Sequence, residues 1–204
     1  MERHELQELH CITPIVNVGS IVRDGLLCHN EVARRHLAHT DVSNQVVQDR
    51  RSGRTVPDAR LSRPRPLHDY ANVYLWARNP MLYVLQPRHP ELCVLRVSSG
   101  ALDLEGAVIA DGNASSDYTL FHSAPAGLGF IDRSVTFARY WTHGDFYAQL
   151  DHKRRMCAEL LVPEHIPAEL ITGYYVAAED IAESCRAHGH PWPPTVNPHL
   201  FFRG

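Results

Sequence analysis

The spacing of apolar residues changes period several times along the chain, and each change predicts an element. Leu6 to Ile15 alternates loosely and predicts a strand. Asn17 then stands as a helix cap before a short helix over Val18 to Arg23, with Gly25 as its stop. A second short helix is predicted from Asn30 to Ala38. Between His39 and His68 the apolar period fails, and Arg, Ser, Gly and Pro take over. This stretch reads as a long ordered loop with at most one helical turn near Val46 to Arg50, and loops of that length inside a compact domain are usually functional.

Periodicity returns with a strand over Asn72 to Trp76, and Asn79 with Pro80 forms a cap-then-proline start for a helix through Leu85. Glu91 to Ser98 and Ala107 to Ala110 predict two further strands. From Asp111 to Gly144 small residues are interspersed with Tyr118, Phe121, Phe130, Phe137, Tyr140 and Trp141, a partly irregular region able to bring rings to a site. A helix over Phe146 to Arg154 leads into a strand over Met156 to Val162 that ends at Pro163. A strand over Leu170 to Val176 and a helix over Ala177 to Ala187, closed by Gly189, complete the pattern. The tail after Pro191 shows no period. The alternation predicts one mixed α+β domain over residues 1–204, with short strands, no internal repeat and no regular βαβ unit.

Composition narrows the classes. The chain has 204 residues, 44% of them hydrophobic, enough for one substantial core. No uninterrupted apolar run approaches the roughly 20 residues of a membrane span, so a soluble, cytoplasmic protein is expected. Cys11, Cys28, Cys93, Cys157 and Cys185 form an odd set with no C-x-x-C pair, which argues against a disulfide framework and a thiolate zinc site. His36 with His39, and His188 with His190, are closely spaced but lack any recognised metal-ligand pattern, and no metal is expected. Nineteen of the twenty basic residues are arginine, and Arg50, Arg51, Arg54, Arg60, Arg63 and Arg65 fall in one short stretch. A guanidinium fork suits phosphates and carboxylates; the alternative is a solvated basic loop.

Common nucleotide signatures are absent. There is no Walker sequence and no G-x-S-x-G elbow, and Gly127-Leu-Gly129 lacks the third glycine of a dinucleotide fingerprint. What remains is an ordered series of short strings: His10-Cys-Ile-Thr-Pro-Ile-Val-Asn17 followed by Ser20-Ile-Val-Arg-Asp-Gly-Leu-Leu27; Val46-Val-Gln-Asp-Arg-Arg51; Leu67-His-Asp-Tyr-Ala-Asn-Val-Tyr74; Arg78-Asn-Pro-Met-Leu-Tyr83; Asp111-Gly-Asn-Ala114; and Ala158-Glu-Leu-Leu-Val-Pro163. This series resembles the DarT family, NAD-dependent mono-ADP-ribosyltransferases that modify a base in single-stranded DNA, and the resemblance extends from Leu9 to about Val176.

The resemblance implies a compact ADP-ribosyltransferase fold whose split sheet, mixed or antiparallel and flanked by short helices, holds NAD in a cleft. His10 to Ser20 would contact nicotinamide and its ribose, with His10, Cys11, Ile12, Thr13, Asn17 and Ser20 as candidates; whether His10 or Cys11 touches NAD stays open. The loop over residues 39–68 would close over the cofactor, with Arg54 assisting at phosphate or DNA, and residues from about 118 to 159 would present the base. Glu159 matches the family's catalytic glutamate, and either Arg50 or Arg51 matches its essential arginine. The implied partners are NAD, single-stranded DNA and a macrodomain antitoxin that reverses the mark. The residues leave open whether thymine, guanine or RNA is the target, or whether the chain is a catalytically silent nucleotide- or DNA-binding module.

The chemistry agrees with this implication. Breaking the nicotinamide–ribose bond builds positive charge on the sugar, and a nearby carboxylate stabilises it. Glu159 is a charge inside an apolar run, where burial without a partner is costly; the alternative is an edge-strand glutamate facing water. The arginine would bind the NAD phosphates and steady the anion that develops on the base. Tyr70, Tyr74, Trp76 with Arg78, and Tyr140 with Trp141 and His143 are candidates for stacking on bases, or for the core; Arg154 and Arg155, just before the Glu159 strand, are candidates for DNA phosphates.

Overall fold

A computed structural model describes residues 1–42, 45–57 and 63–203; Arg60 of the basic cluster lies outside them. The strands, in chain order, are β1 (Glu8–Pro14), β2 (Leu26–Leu27), β3 (Thr55–Val56), β4 (Arg65–Pro66), β5 (Tyr70–Tyr74), β6 (Leu92–Ser98), β7 (Val108–Ala110), β8 (Phe121–Ser123), β9 (Glu159–Pro163), β10 (His165–Ile166), β11 (Ile171–Val176) and β12 (Pro194–Val196). Eight of them form one sheet in the order β12-β11-β6-β1-β5-β9-β7-β8. All neighbours there run antiparallel except β11 and β12, which are parallel. The helices are α1 (Val18–Asp24), α2 (His29–Arg34), α3 (Gln45–Ser52), α4 (Pro80–Val84), α5 (Arg133–Thr136), α6 (Phe146–Met156) and α7 (Glu179–Ala187). The result is a mixed α+β architecture.

Strand alternation divides the core. Leu9 and Cys11 of β1, Val73 of β5, Cys93 and Leu95 of β6 and Leu160 of β9 pack into the largest apolar cluster, which also takes Val18 and Ile21 of α1 and Ala182 and Cys185 of α7. The opposite face carries two smaller clusters, one around Ile12, Leu82, Val94 and Phe201 and one around Val56, Leu67, Tyr70 and Leu161. Gly25 ends α1 with φ +75°, and a Cβ there would lie 2.5 Å from the Ile166 carbonyl oxygen, so both conformation and space demand glycine.

The central pairs matter most for function. β1 and β6 are in register over seven residue pairs, from Glu8↔Ser98 to Pro14↔Leu92, whereas β1 meets β5 at the single pair His10↔Tyr74. Beyond that pair β1 and β5 have no further register partners in common, and the sheet is split there.

Several expectations are corrected. The helix expected over Asn30 to Ala38 stops at Arg34. The expected loop over 39–68 contains α3 and the β3–β4 pair, followed by a 3₁₀ turn over Leu67–Asp69. The strand expected from Met156 starts at Glu159, because α6 runs through Met156. Asn17 does not cap α1 with its side chain; its amide instead donates to Thr13 Oγ1 and to the Thr40 carbonyl and accepts from the Thr40 amide. The aperiodic tail supplies β12 and the buried residues Leu200 and Phe201.

Candidate active site

Glu159 opens β9, between β5 and β7, so it is not at a sheet edge. Register places it directly beside Tyr74 on one side and Ala110 on the other, and Tyr74 in turn pairs with His10. His10, Tyr74, Glu159 and Ala110 therefore form a row across four strands, at the point where the sheet splits. Glu159 is 1% exposed. A carboxylate at that depth needs partners, and it has two, one for each oxygen.

Arg51, on α3, places Nη1 3.3 Å from Glu159 Oε2 and is itself only 8% exposed. Arg50 points outward and is exposed, so of the two arginines the structure brings Arg51 to the carboxylate. α3 is held by its flanks: His68 Nε2 lies 3.1 Å from Gln48 Oε1, the Arg54 amide donates to the Arg51 carbonyl, and the Leu67 amide donates to the Arg54 carbonyl. Burial, with the neighbouring His29 and Arg51, holds the pKa of His68 below the ordinary histidine value.

The second partner comes from the turn Asp111–Ala114, whose Ala114 amide donates to Glu159 Oε1 at 3.0 Å. Arg154 anchors that turn. Its Nη1 donates to Asp111 Oδ1 at 2.9 Å, its carbonyl accepts from the Asn113 amide at 2.9 Å, and a Cβ on Gly112 would lie 2.6 Å from Nη1 and 3.0 Å from the carbonyl oxygen. Tyr74 completes the surroundings: burial first, and the adjacent Glu159 second, push its phenol pKa well above the ordinary tyrosine value, so it stays a neutral donor.

A 240 Å³ cavity opens along the split end of β1, walled by α1, α2 and residues 37–42 and reaching Gln48 on α3. Cys11, Ile12, Thr13, Asn17 and Ser20 all line it. His10 does not. It is 1% exposed, with Nε2 3.2 Å from Glu8 Oε1 and its ring edge-on to Trp76. Arg54 is also elsewhere, bonded to Asp117 and the Ser116 carbonyl and lying over Phe121.

Among the DNA candidates, Tyr70 is core, Tyr74 stands in the Glu159 row, and Trp76 packs on His10 and Phe137. Arg154 is tied to Asp111 and Asp151, and Arg155 reaches Asp132 at 3.4 Å. Arg78 is buried against Phe202. Gly112, Ala114 and the Asp111 turn were within a recognised string, but the bond from Ala114 to Glu159 had no signal in the residues themselves. Among the described residues no group of three or more His, Cys, Asp or Glu side chains is placed to hold a metal, and no helix is long and apolar enough to cross a membrane.

A family model described as ssDNA thymidine ADP-ribosyltransferase, DarT, matches residues 10–202. The chain belongs to the DarT family. The DNA ADP-ribosyl transferase-DNA ADP-ribosyl glycohydrolase fusion protein of Thermosipho africanus is 30% identical over 202 residues, which cover 96% of this chain and 50% of the fusion. The solved Thermosipho africanus DarTG in complex with ADP-ribose superposes with a TM-score of 0.81 at 28% identity, covering 97% of this chain and 51% of that one. Thermus sp. 2.9 DarT in complex with ADP-ribosylated ssDNA gives a TM-score of 0.80 at 22% identity, covering 97% of both chains; at that identity the likeness carries the fold. This DarT chain thus spans about half the length of the fusion relative it matches.

Proposed function

We propose that the chain is a mono-ADP-ribosyltransferase that moves ADP-ribose from NAD to a base of single-stranded DNA and releases nicotinamide. The observation that carries this reading is the buried Arg51–Glu159 pair at the split of the sheet, beside a cavity walled by five of the residues expected at NAD. The fold likeness to DarT proteins solved with ADP-ribose and with ADP-ribosylated ssDNA supports it.

The chemistry follows from charge. The bond between ribose and nicotinamide breaks with its electron pair leaving on nicotinamide, and the sugar becomes cationic. Glu159, oriented by the Ala114 amide, stabilises that cation. A base nitrogen then bonds to the sugar carbon and gives up its proton to solvent water. Arg51 serves the diphosphate and the anion developing on the base, a role suited to a guanidinium that stays protonated. The cavity side chains of Thr13, Asn17 and Ser20 hold the nicotinamide end, and Arg155 meets DNA phosphate. His10, turned away from the cavity, fixes the β1–β5 crossing rather than touching NAD.

A fused glycohydrolase in the Thermosipho relative supports a toxin with a partner that removes the mark, a macrodomain antitoxin supplied by another chain or segment, acting in the cytoplasm where NAD and DNA are both present. A silent binding module is disfavoured, since it has no need of a buried carboxylate whose two oxygens are both held. Mass spectrometry of single-stranded oligonucleotides differing by one base, after incubation with NAD, tests the proposal. An ADP-ribose adduct confined to strands containing one base type is expected; no adduct on any strand overturns it.

A further inference from the structure

Arg78 is a buried cation that the reaction as described does not use. It is 6% exposed, and among the described residues neither Nε nor Nη1 has a hydrogen-bond acceptor. Burial, with Arg139 nearby, lowers its pKa below the ordinary arginine value. A buried guanidinium with two unpaired nitrogens is an unfavourable arrangement that a ligand would relieve.

What surrounds it is aromatic. The guanidinium carbon lies 4.2 Å from the centroid of the Phe202 ring. Phe202 meets Tyr83 edge-to-face at 5.2 Å and Trp141 at 6.0 Å, and Tyr83 meets Trp141 at 5.3 Å. Three rings from distant segments, α4, the stretch before α6 and the C-terminal tail, thus cluster, and one of them, Phe202, lies on the cation. Tyr83 is 48% exposed and Tyr140, with Arg139 over its ring, is 66% exposed, so the cluster is open to solvent.

The cluster is also fixed relative to Glu159. Asn79 locks the turn after Arg78, donating to the Trp76 carbonyl and accepting from the amides of Met81 and Leu82. The Leu75 amide donates to the Ala158 carbonyl at 3.0 Å. Arg78 stands four positions after Tyr74, the strand partner of Glu159, a span of at most about 14 Å.

We infer that Arg78, Tyr83, Trp141 and Phe202 form a subsite for a nucleotide that flanks the modified one. Its phosphate bridges Arg78 and Arg139, relieving their repulsion, and its base stacks on the open rings. Stacking accepts any base, while the phosphate contact adds salt dependence. The subsite gives the tail a function beyond packing. It rests on the reading that single-stranded DNA is the substrate.

The test is fluorescence anisotropy with a short labelled single-stranded oligonucleotide, without NAD so that no turnover occurs, on the full chain and its Arg78→Gln and Trp141→Ala variants. Both variants are expected to weaken oligonucleotide binding roughly tenfold. Arg78→Gln alone should flatten the dependence of log affinity on log salt by about 0.7. Affinity for NAD and the melting temperature should stay within error of the parent for both. Unchanged oligonucleotide affinity in the variants overturns the subsite while leaving the enzyme reading intact, and so does a loss of NAD binding or melting temperature that tracks the loss of DNA binding. No oligonucleotide binding by the parent chain counts against the substrate reading itself.

Discussion

Arg51 Nη1 stands 3.3 Å from Glu159 Oε2 although 108 residues separate them in the chain. The pair is buried on both sides, and its energetic logic is asymmetric: removing one member leaves the other charged and unpaired in the interior. Arg51→Ala is therefore expected to abolish ADP-ribosyl transfer and to cost about 3 kcal/mol of stability, lowering the melting temperature by roughly 6 to 12 °C. Arg50→Ala, at an exposed position one residue away, should change stability by no more than about 0.5 kcal/mol and leave transfer intact. Thermal unfolding and label transfer on the two variants check both statements.

The Glu159 carboxylate is aimed through a chain of contacts that starts at Arg154 and passes through the Asp111–Ala114 turn. Gly112→Ala places a methyl against the Arg154 carbonyl, a backbone atom that cannot swing aside. The turn must shift and the Ala114 amide with it. We expect kcat to fall between roughly tenfold and a hundredfold, with the KM for NAD nearly unchanged because no residue of the turn lines the cavity. Steady-state kinetics on Gly112→Ala decides; a rise in KM at constant kcat contradicts the aiming role.

Glu8 carries the clearest pH dependence. Burial alone would raise its pKa, but hydrogen bonds from His10, Tyr175 and Arg96 outweigh this and bring it down to about 2. Its folded pKa thus lies below the unfolded value near 4.5. The stability it contributes is fully present above about pH 4.5 and is lost as the pH falls toward 2. At neutral pH that contribution is at most about 3 kcal/mol. Glu8→Gln should destabilise the protein at pH 7 and remove part of the fall in stability between pH 4.5 and 2, as read by urea unfolding across that range.

Much of the fold was legible because its strands are apolar and its caps are chemical. β6 and β11 were placed to within one residue, and Asn79 with Pro80 marked α4 since both its cap and its first-turn proline are local devices. α3 was not legible for a physical reason: its only buried residue is Arg51, so it has no apolar stripe for periodicity to detect. β12 was hidden likewise, being three residues long, starting at a proline, and defined by pairing to β11 rather than by its own pattern.

The site divides in the same way. A glutamate inside an apolar strand was visible, but its two readings could be separated only by knowing that β9 lies between two other strands. Arg50 and Arg51 are equivalent on paper, and the rotation of α3 distinguishes them. Arg154 looked like a phosphate contact because its partner, Asp111, lies 43 residues away. On β1, Cys11 to Pro14 line the cavity while His10 is turned to Glu8 and Trp76, a division that residue type does not announce.

The proposed reaction needs Arg51 and Glu159 to act together on NAD at the split between β1 and β5. A crystal structure of the protein with a non-cleavable NAD analogue tests it most directly. The ribose next to nicotinamide is expected within hydrogen-bond distance of Glu159, with Arg51 on the ligand and Thr13, Asn17 and Ser20 around its nicotinamide end. A ligand lodged instead in the larger, 530 Å³ cavity beside α7, among Asp180, His188 and His190, with the Arg51–Glu159 pair untouched, would contradict it.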